Sequence, residues 1–165
     1  MKKWLLGLLL VSLVSLAGYA ADALAAGNTT INILFDNGVT DKLSASQAKA
    51  QTQIGDFMKE DMVRVFERYE KNGFEAKLID KEGDYKAAAG NELLKVKITN
   101  YNPGSKAARM MVGYGAGGVK LAIHYELIAD GKTITSKDDD VYSGRDWRNA
   151  ARKLNENTAR AIADK

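Results

Sequence analysis

The chain contains no cysteine, and that absence removes several classes of protein at once. Disulfides, thiolate metal sites, a cysteine nucleophile and the lipid-bearing cysteine of a bacterial lipoprotein are all excluded. Such a chain tolerates an oxidising compartment without exploiting it. Histidine is nearly as scarce: His124 stands alone, so no histidine cluster can ligate a metal. Charge of one sign is also lacking. The net charge is +3, and removal of Lys2, Lys3 and Asp22 with the N-terminal segment leaves +2. Basic residues are interspersed with acids rather than gathered on one face, so nucleic acid is not an expected partner. The longest uncharged apolar run, Trp4 to Leu16, is 13 residues, against the roughly 20 that an α-helix needs to cross a bilayer.

What is present suits one globular domain behind a targeting segment: 165 residues, 45% hydrophobic and 27% charged. The start, MKKWLLGLLLVSLVSLAGYAADALAAG, has two lysines, an apolar stretch and then small residues, the layout of a secretory signal. Cleavage is expected after Ala25, with Ala20 the alternative, leaving residues 26–165 as a single periplasmic domain.

From Asn28 onward the pattern is regular. TTINILFDNG places Ile31, Ile33 and Phe35 at period two before Asn37-Gly38, a strand ending in a turn. Ser44 and Gln47 form a capping box, after which Ile54, Phe57, Met58, Met62, Val65, Phe66 and Tyr69 recur at helical spacing up to Asn72-Gly73. FEAKLID alternates Phe74, Ala76 and Leu78 against Glu75 and Lys77, a second strand that a right-handed crossover would set parallel to the first. KEGDYKAAAGN reads as a surface loop, and ELLKVKITNYN as a strand with Leu94, Val96 and Ile98 inward, ended by the chain's one proline, Pro103. Val119, Leu121, Ile123, Tyr125 and Leu127 line one face of the next strand. Asp130-Gly131 then signals a two-residue hairpin into KTITSKDDDVYS, whose acidic run suits an exposed edge. A final helix carries Trp147, Ala150, Ala151, Leu154, Thr158, Ala161 and Ile162 as its apolar stripe. The order β-α-β-β-β-α predicts an α+β two-layer sandwich, a mixed sheet with two helices on one face.

Three features invite a chemical reading. Gly113, Gly115 and Gly118 match the dinucleotide fingerprint G-x-G-x-x-G by spacing. That motif works because a helix begins at its last glycine and aims its N-terminus at a pyrophosphate, whereas here a strand follows. With Gly117, these glycines are expected to be structural, permitting bulges or close backbone approach. His124 shares a strand face with Glu126, the minimum for acid–base work, though no nucleophile is evident beside them. Asp138, Asp139 and Asp140 could meet a cation, but adjacent strand residues point to opposite faces and the spacing is not that of a calcium loop. No cofactor and no metal are expected.

The stretch GSKAARMMVGYGAGGVKLAIHYELIADGKTI resembles the signature of a bacterial envelope family, domain of unknown function 4410. The matching elements are Gly104-Ser105, Arg109, the run from Gly113 to Gly117, and the strand from Val119 to Ala129. The closing segment YSGRDWRNAARKLNENTARAIADK is similar to that family's C-terminal helix. The resemblance implies secretion, a compact α+β fold and a place in the Gram-negative envelope, and supplies no activity. Many relatives are lipoproteins, and the missing cysteine means a lipid anchor does not carry over.

These observations give three functional expectations. The first is a non-catalytic domain binding an unknown envelope protein or surface through the long Gly-rich loop 103–118, with Arg109, Met110, Met111 and Tyr114 as contacts. The second is a hydrolase using His124 and Glu126. The third is self-assembly, a homo-oligomer joined through the glycine segment.

Overall fold

The computed structural model describes residues 28–69, 73–105 and 117–164. The predicted signal segment therefore lies outside the described residues. Seven elements follow one another: β1 (Thr29–Asp36), α1 (Ala45–Glu67), β2 (Phe74–Ile79), β3 (Asn91–Asn102), β4 (Val119–Ala129), β5 (Lys132–Ser143) and α2 (Trp147–Ala163). This is the predicted β-α-β-β-β-α order. The five strands form one mixed sheet in the order β2-β1-β3-β4-β5. Strand β1 is parallel to both β2 and β3, while β3, β4 and β5 form an antiparallel run.

Alternation decides which face is covered. Ile31 and Ile33, Leu94, Val96 and Ile98, and Leu121, Ile123 and Leu127 all lose their solvent contact on one side, beneath both helices. Helix α1 begins where Ser44 accepts from the Gln47 N–H and the Gln47 side chain reaches back to the Ser44 N–H at 2.9 Å. It presents Ile54, Met58, Met62, Val65 and Phe66 to the core and ends at Glu67, five residues before the predicted Asn72-Gly73 stop. Gly73 instead takes a left-handed φ of 81° and leads into β2, where its carbonyl accepts from the Thr29 N–H. Asp146 caps α2 by accepting from the Asn149 N–H. The α2 stripe runs as predicted and takes in one polar residue the pattern did not single out. Asn155 is fully buried, and its Nδ2 donates to the Met58 carbonyl of α1 at 3.1 Å and to Asp61 at 2.9 Å.

Because β2 and β3 both run parallel to β1, the segment joining them must cross the sheet, and it does so on the face opposite the helices. Glu82, in a single 3-10 turn, pairs with Lys95 at 2.6 Å, and the Tyr85 hydroxyl donates to the Asn91 carbonyl. Beneath this strap Asn32 and Leu93, which point away from the helices, are buried as well. Asn32 satisfies its amide on Asn91 and on the Glu92 carbonyl. The predicted surface loop is thus a partial second cover. Leu78 departs from the sequence pattern. It shares a face with Phe74 and Ala76, which pack against the core, yet on this outermost strand it is 43% exposed. Strand β5 forms the other edge, as expected.

Candidate recognition site

Strand direction gathers several segments at one end of the sheet. β1, β3 and β5 finish there and β4 starts there, so the β1–α1 connection, the two described ends of loop 103–118 and the start of α2 all converge. The residues expected to make contact, Arg109, Met110, Met111 and Tyr114, and the glycines Gly113 and Gly115 lie outside the described residues. Gly117 and Gly118 are described, and both sit in the neck from which the loop emerges.

The neck is closed by backbone. The Ser105 N–H donates to the Gly117 carbonyl at 3.0 Å, and the Gly104 N–H turns back onto the Asn102 side chain at 2.9 Å. Gly104 has φ +68°, and a Cβ there would fall within the Gly117 and Gly118 carbonyls, so only glycine lets the two sides of the neck approach this closely. On the other side, the Gly118 N–H donates to the Tyr142 hydroxyl of β5 at 2.9 Å. The Tyr142 ring lies along Gly118, where an added Cβ would come 2.6 Å from the ring, yet the tyrosine remains 57% exposed. In the sequence Pro103-Gly104 marks the end of a strand and Gly104-Ser105 belongs to the family signature, but nothing in it singles out Tyr142. Strand β4 begins at Val119, directly after Gly118, so no helix N-terminus faces a phosphate at that glycine.

His124 lies on the open face of the sheet, and its neighbours come largely from across the hairpin. Nδ1 is 2.8 Å from Asp138, Nε2 is 3.5 Å from Glu126, and the Ser136 hydroxyl is 3.4 Å from Nε2. The expected Glu126 contact is present, while Asp138 and Ser136 were missed as partners. The Asp138 hydrogen bond raises the His124 pKa above its ordinary value; partial burial opposes this and Glu126 adds to it. Below that raised pKa the imidazolium is held between two carboxylates, an arrangement that braces β4 to β5. It can act as a base only above that pKa. Ser136 sits at the long limit of hydrogen-bond range, and the ladder with β4 occupies part of the β5 backbone.

The sign of the stability effect follows. A folded-state pKa raised above the unfolded value stabilises fully below about 6.5 and loses that contribution as pH rises through the folded pKa. Both partners are substantially exposed, so the gain stays under about 1 kcal/mol. Urea unfolding at pH 5.5 and 8.5 is expected to show the wild type losing more stability on alkalinisation than His124→Gln. Equal losses would remove the brace.

The acidic run divides as strand geometry requires. Asp138 goes to His124, Asp140 pairs with Lys120 at 3.2 Å on the same face, and Asp139 accepts from Asn157 of α2 at 3.1 Å on the other. Among the described residues no three His or carboxylate side chains gather at metal-binding distance, and no helix is long and apolar enough to cross a membrane.

PelC from Paraburkholderia phytofirmans, solved as a dodecamer, is 10% identical with a TM-score of 0.52, covering 79% of this chain and 85% of that one. A point variant of PelC, also a dodecamer, gives 11% and 0.55 over 83% and 89%. A Xanthomonas campestris protein of the DUF330 family gives 10% and 0.50 over 85% and 88%. At such identities the likeness is one of fold. No curated protein matches the sequence significantly. The sequence does match the family described as Domain of unknown function (DUF4410) over residues 22–157, which is most of its length, and the chain belongs to that family.

Proposed function

We propose that the protein is a non-catalytic domain of the bacterial envelope that binds another envelope component through loop 103–118. The observation that carries this reading is the neck. Gly104, Ser105, Gly117, Gly118 and Tyr142 draw the two ends of the loop together and fix the site from which residues 106–116 leave the sheet. A loop of that length on a closed base suits recognition, because the base limits the conformational freedom the segment must give up on binding. Its sequence supplies Arg109, two adaptable methionines and Tyr114. The secretory layout of the N-terminus supports the envelope location, with export to the periplasm after cleavage following Ala25.

The test is deletion of residues 106–116, bridging Ser105 to Gly117 with one glycine, followed by crosslinking in intact cells and identification of captured proteins. Loss of the principal crosslinked species with unchanged thermal unfolding is expected. Capture of the same species by the deleted protein would overturn the reading.

A second reading, self-assembly, is favoured by the dodecameric state in which PelC was solved. The sequence places that contact in the glycine segment, though association of copies does not by itself require that surface.

A further inference from the structure

Among the described residues the sheet ends in two open edges, β2 and β5, and they differ in what they offer. Strand β5 is acidic at its centre. An antiparallel pairing of β5 with a second copy, helical layers on the same side, must be centred on one residue. Centring it on Lys137, Asp138, Asp139 or Asp140 brings that charge against itself. Such a strand resists edge-to-edge contact. Strand β2 has the opposite character.

In β2, the five residues Phe74, Glu75, Ala76, Lys77 and Leu78 are complementary to themselves when read in reverse about Ala76. Antiparallel pairing centred there sets Glu75 against Lys77 of the second copy and Lys77 against its Glu75, two opposite-charge pairs on the strap side of the sheet. On the helical side it sets Phe74 against Leu78 twice. That placement covers Leu78, which at 43% exposed is one of the few large apolar side chains left open in the described residues. Neither Glu75 nor Lys77 has an ion-pair partner among the described residues, so both charges are available. Phe74 and Ala76 are only half-buried, and among the described residues no other strand pairs with β2 on its outer side.

We infer that β2 is a dimer interface: two copies of the chain join across this edge, antiparallel and centred on Ala76, to form a continuous ten-stranded sheet with all four helices on one side. The contact is isologous, the commonest symmetry for a pair of identical subunits. A six-residue strand contributes a modest interface, so the dimer is concentration-dependent rather than obligate. The inference deepens the self-assembly reading by naming the edge that meets, and it is independent of the loop.

The test uses the protein purified from cells expressing the full coding sequence. Light scattering across a concentration series reports whether copies associate, and charge variants report whether β2 is the contact. Lys77→Glu turns both ion pairs into like-charge pairs and is expected to weaken dimerisation at least roughly ten-fold; Glu75→Lys combined with Lys77→Glu restores the pairs and most of the affinity. If Lys77 served instead to repel neighbours, Lys77→Ala would strengthen association, whereas the paired edge requires it to weaken. Because the chain has no cysteine, Ala76→Cys adds a thiol that meets its own copy at the two-fold axis and should oxidise to a single crosslinked dimer, which Thr133→Cys on the far edge should not. A strict monomer at all concentrations overturns both the edge and self-assembly. An assembly that ignores Lys77→Glu, or that the double variant fails to restore, overturns the edge and leaves self-assembly standing.

Discussion

Gly38→Ala is expected to destabilise the fold by about 3 kcal/mol or more, whereas Gly131→Ala, a glycine with a similar backbone, should cost only about 1 kcal/mol. Both glycines have left-handed φ, 66° at Gly38 and 73° at Gly131. Any other residue is strained in that conformation, and that shared penalty is the smaller part of the difference. A Cβ at Gly131 points into open space. At Gly38 it would fall within the Ile98 carbonyl oxygen, with the Gln51 side chain also inside contact distance. Neither side can yield cheaply. Gly38 is fixed by its N–H bond to Asp36 at 2.8 Å, and that carboxylate is held by Lys97 at 2.9 Å. Ile98 is the last regular residue of β3 before the register shifts at Asn100. Adding a methyl must therefore separate β3 from the β1–α1 connection, at the end of the sheet where the loop neck sits. Equilibrium urea unfolding with an unchanged m-value for each variant measures the difference, and a Gly38→Ala protein as stable as Gly131→Ala would contradict the packing described here.

The same comparison shows how far sequence patterns reach. Asn37-Gly38 and Asp130-Gly131 are alike as dipeptides. Only the second closes a hairpin, with Asp130 at φ 50° joining Gly131 in the left-handed region. Strand alternation was the most readable feature, because burying one face of a sheet forces period two on the residues that form it. It placed the core residues of β1, β3 and β4 and the architecture. It could not place Leu78, since the pattern does not say that β2 takes the edge of the sheet, nor Leu93, which is covered by a segment crossing the open face. The partner of His124 was hidden for a more local reason. From a two-residue turn at Asp130-Gly131, where Ala129 opposes Lys132, regular pairing would set His124 against Lys137. The register shifts by one between Leu127 and Ile128, with Ile134 as the extra residue, and His124 meets Asp138 instead. A bulge of that kind has no signature in the local composition. The candidate site divides the same way: its glycines were legible as glycines, but the closeness of Gly104 to Gly117 and the Tyr142 bond to Gly118 join residues 13 and 24 positions apart, which only the sheet brings together.

Phe57 and Phe66 appear equivalent in the helical stripe of α1, and the structure separates them. Phe66 is fully buried in the core. Phe57 is only partly buried, its ring perpendicular to that of Trp147 of α2 with centroids 5.5 Å apart, and the Arg152 guanidinium lies over the Phe57 ring at 5.4 Å. Truncating Phe66 to alanine removes a whole ring from a fully buried cluster that it shares with Met62, Val65 and the inward residues of the strands; the expected loss is roughly 3–5 kcal/mol. Truncating Phe57 gives up an aromatic pair and a cation–π contact at a half-exposed position, and the space opens to water instead of becoming a cavity. Its expected loss is about 1–2 kcal/mol. Urea unfolding followed by far-ultraviolet circular dichroism would rank the two. If Phe57→Ala proved as costly as Phe66→Ala, the contact between α1 and α2, and not the packing of α1 on the sheet, would be the principal support of the helical layer, and the closed end that carries the loop would depend on Trp147 more than on Ile98.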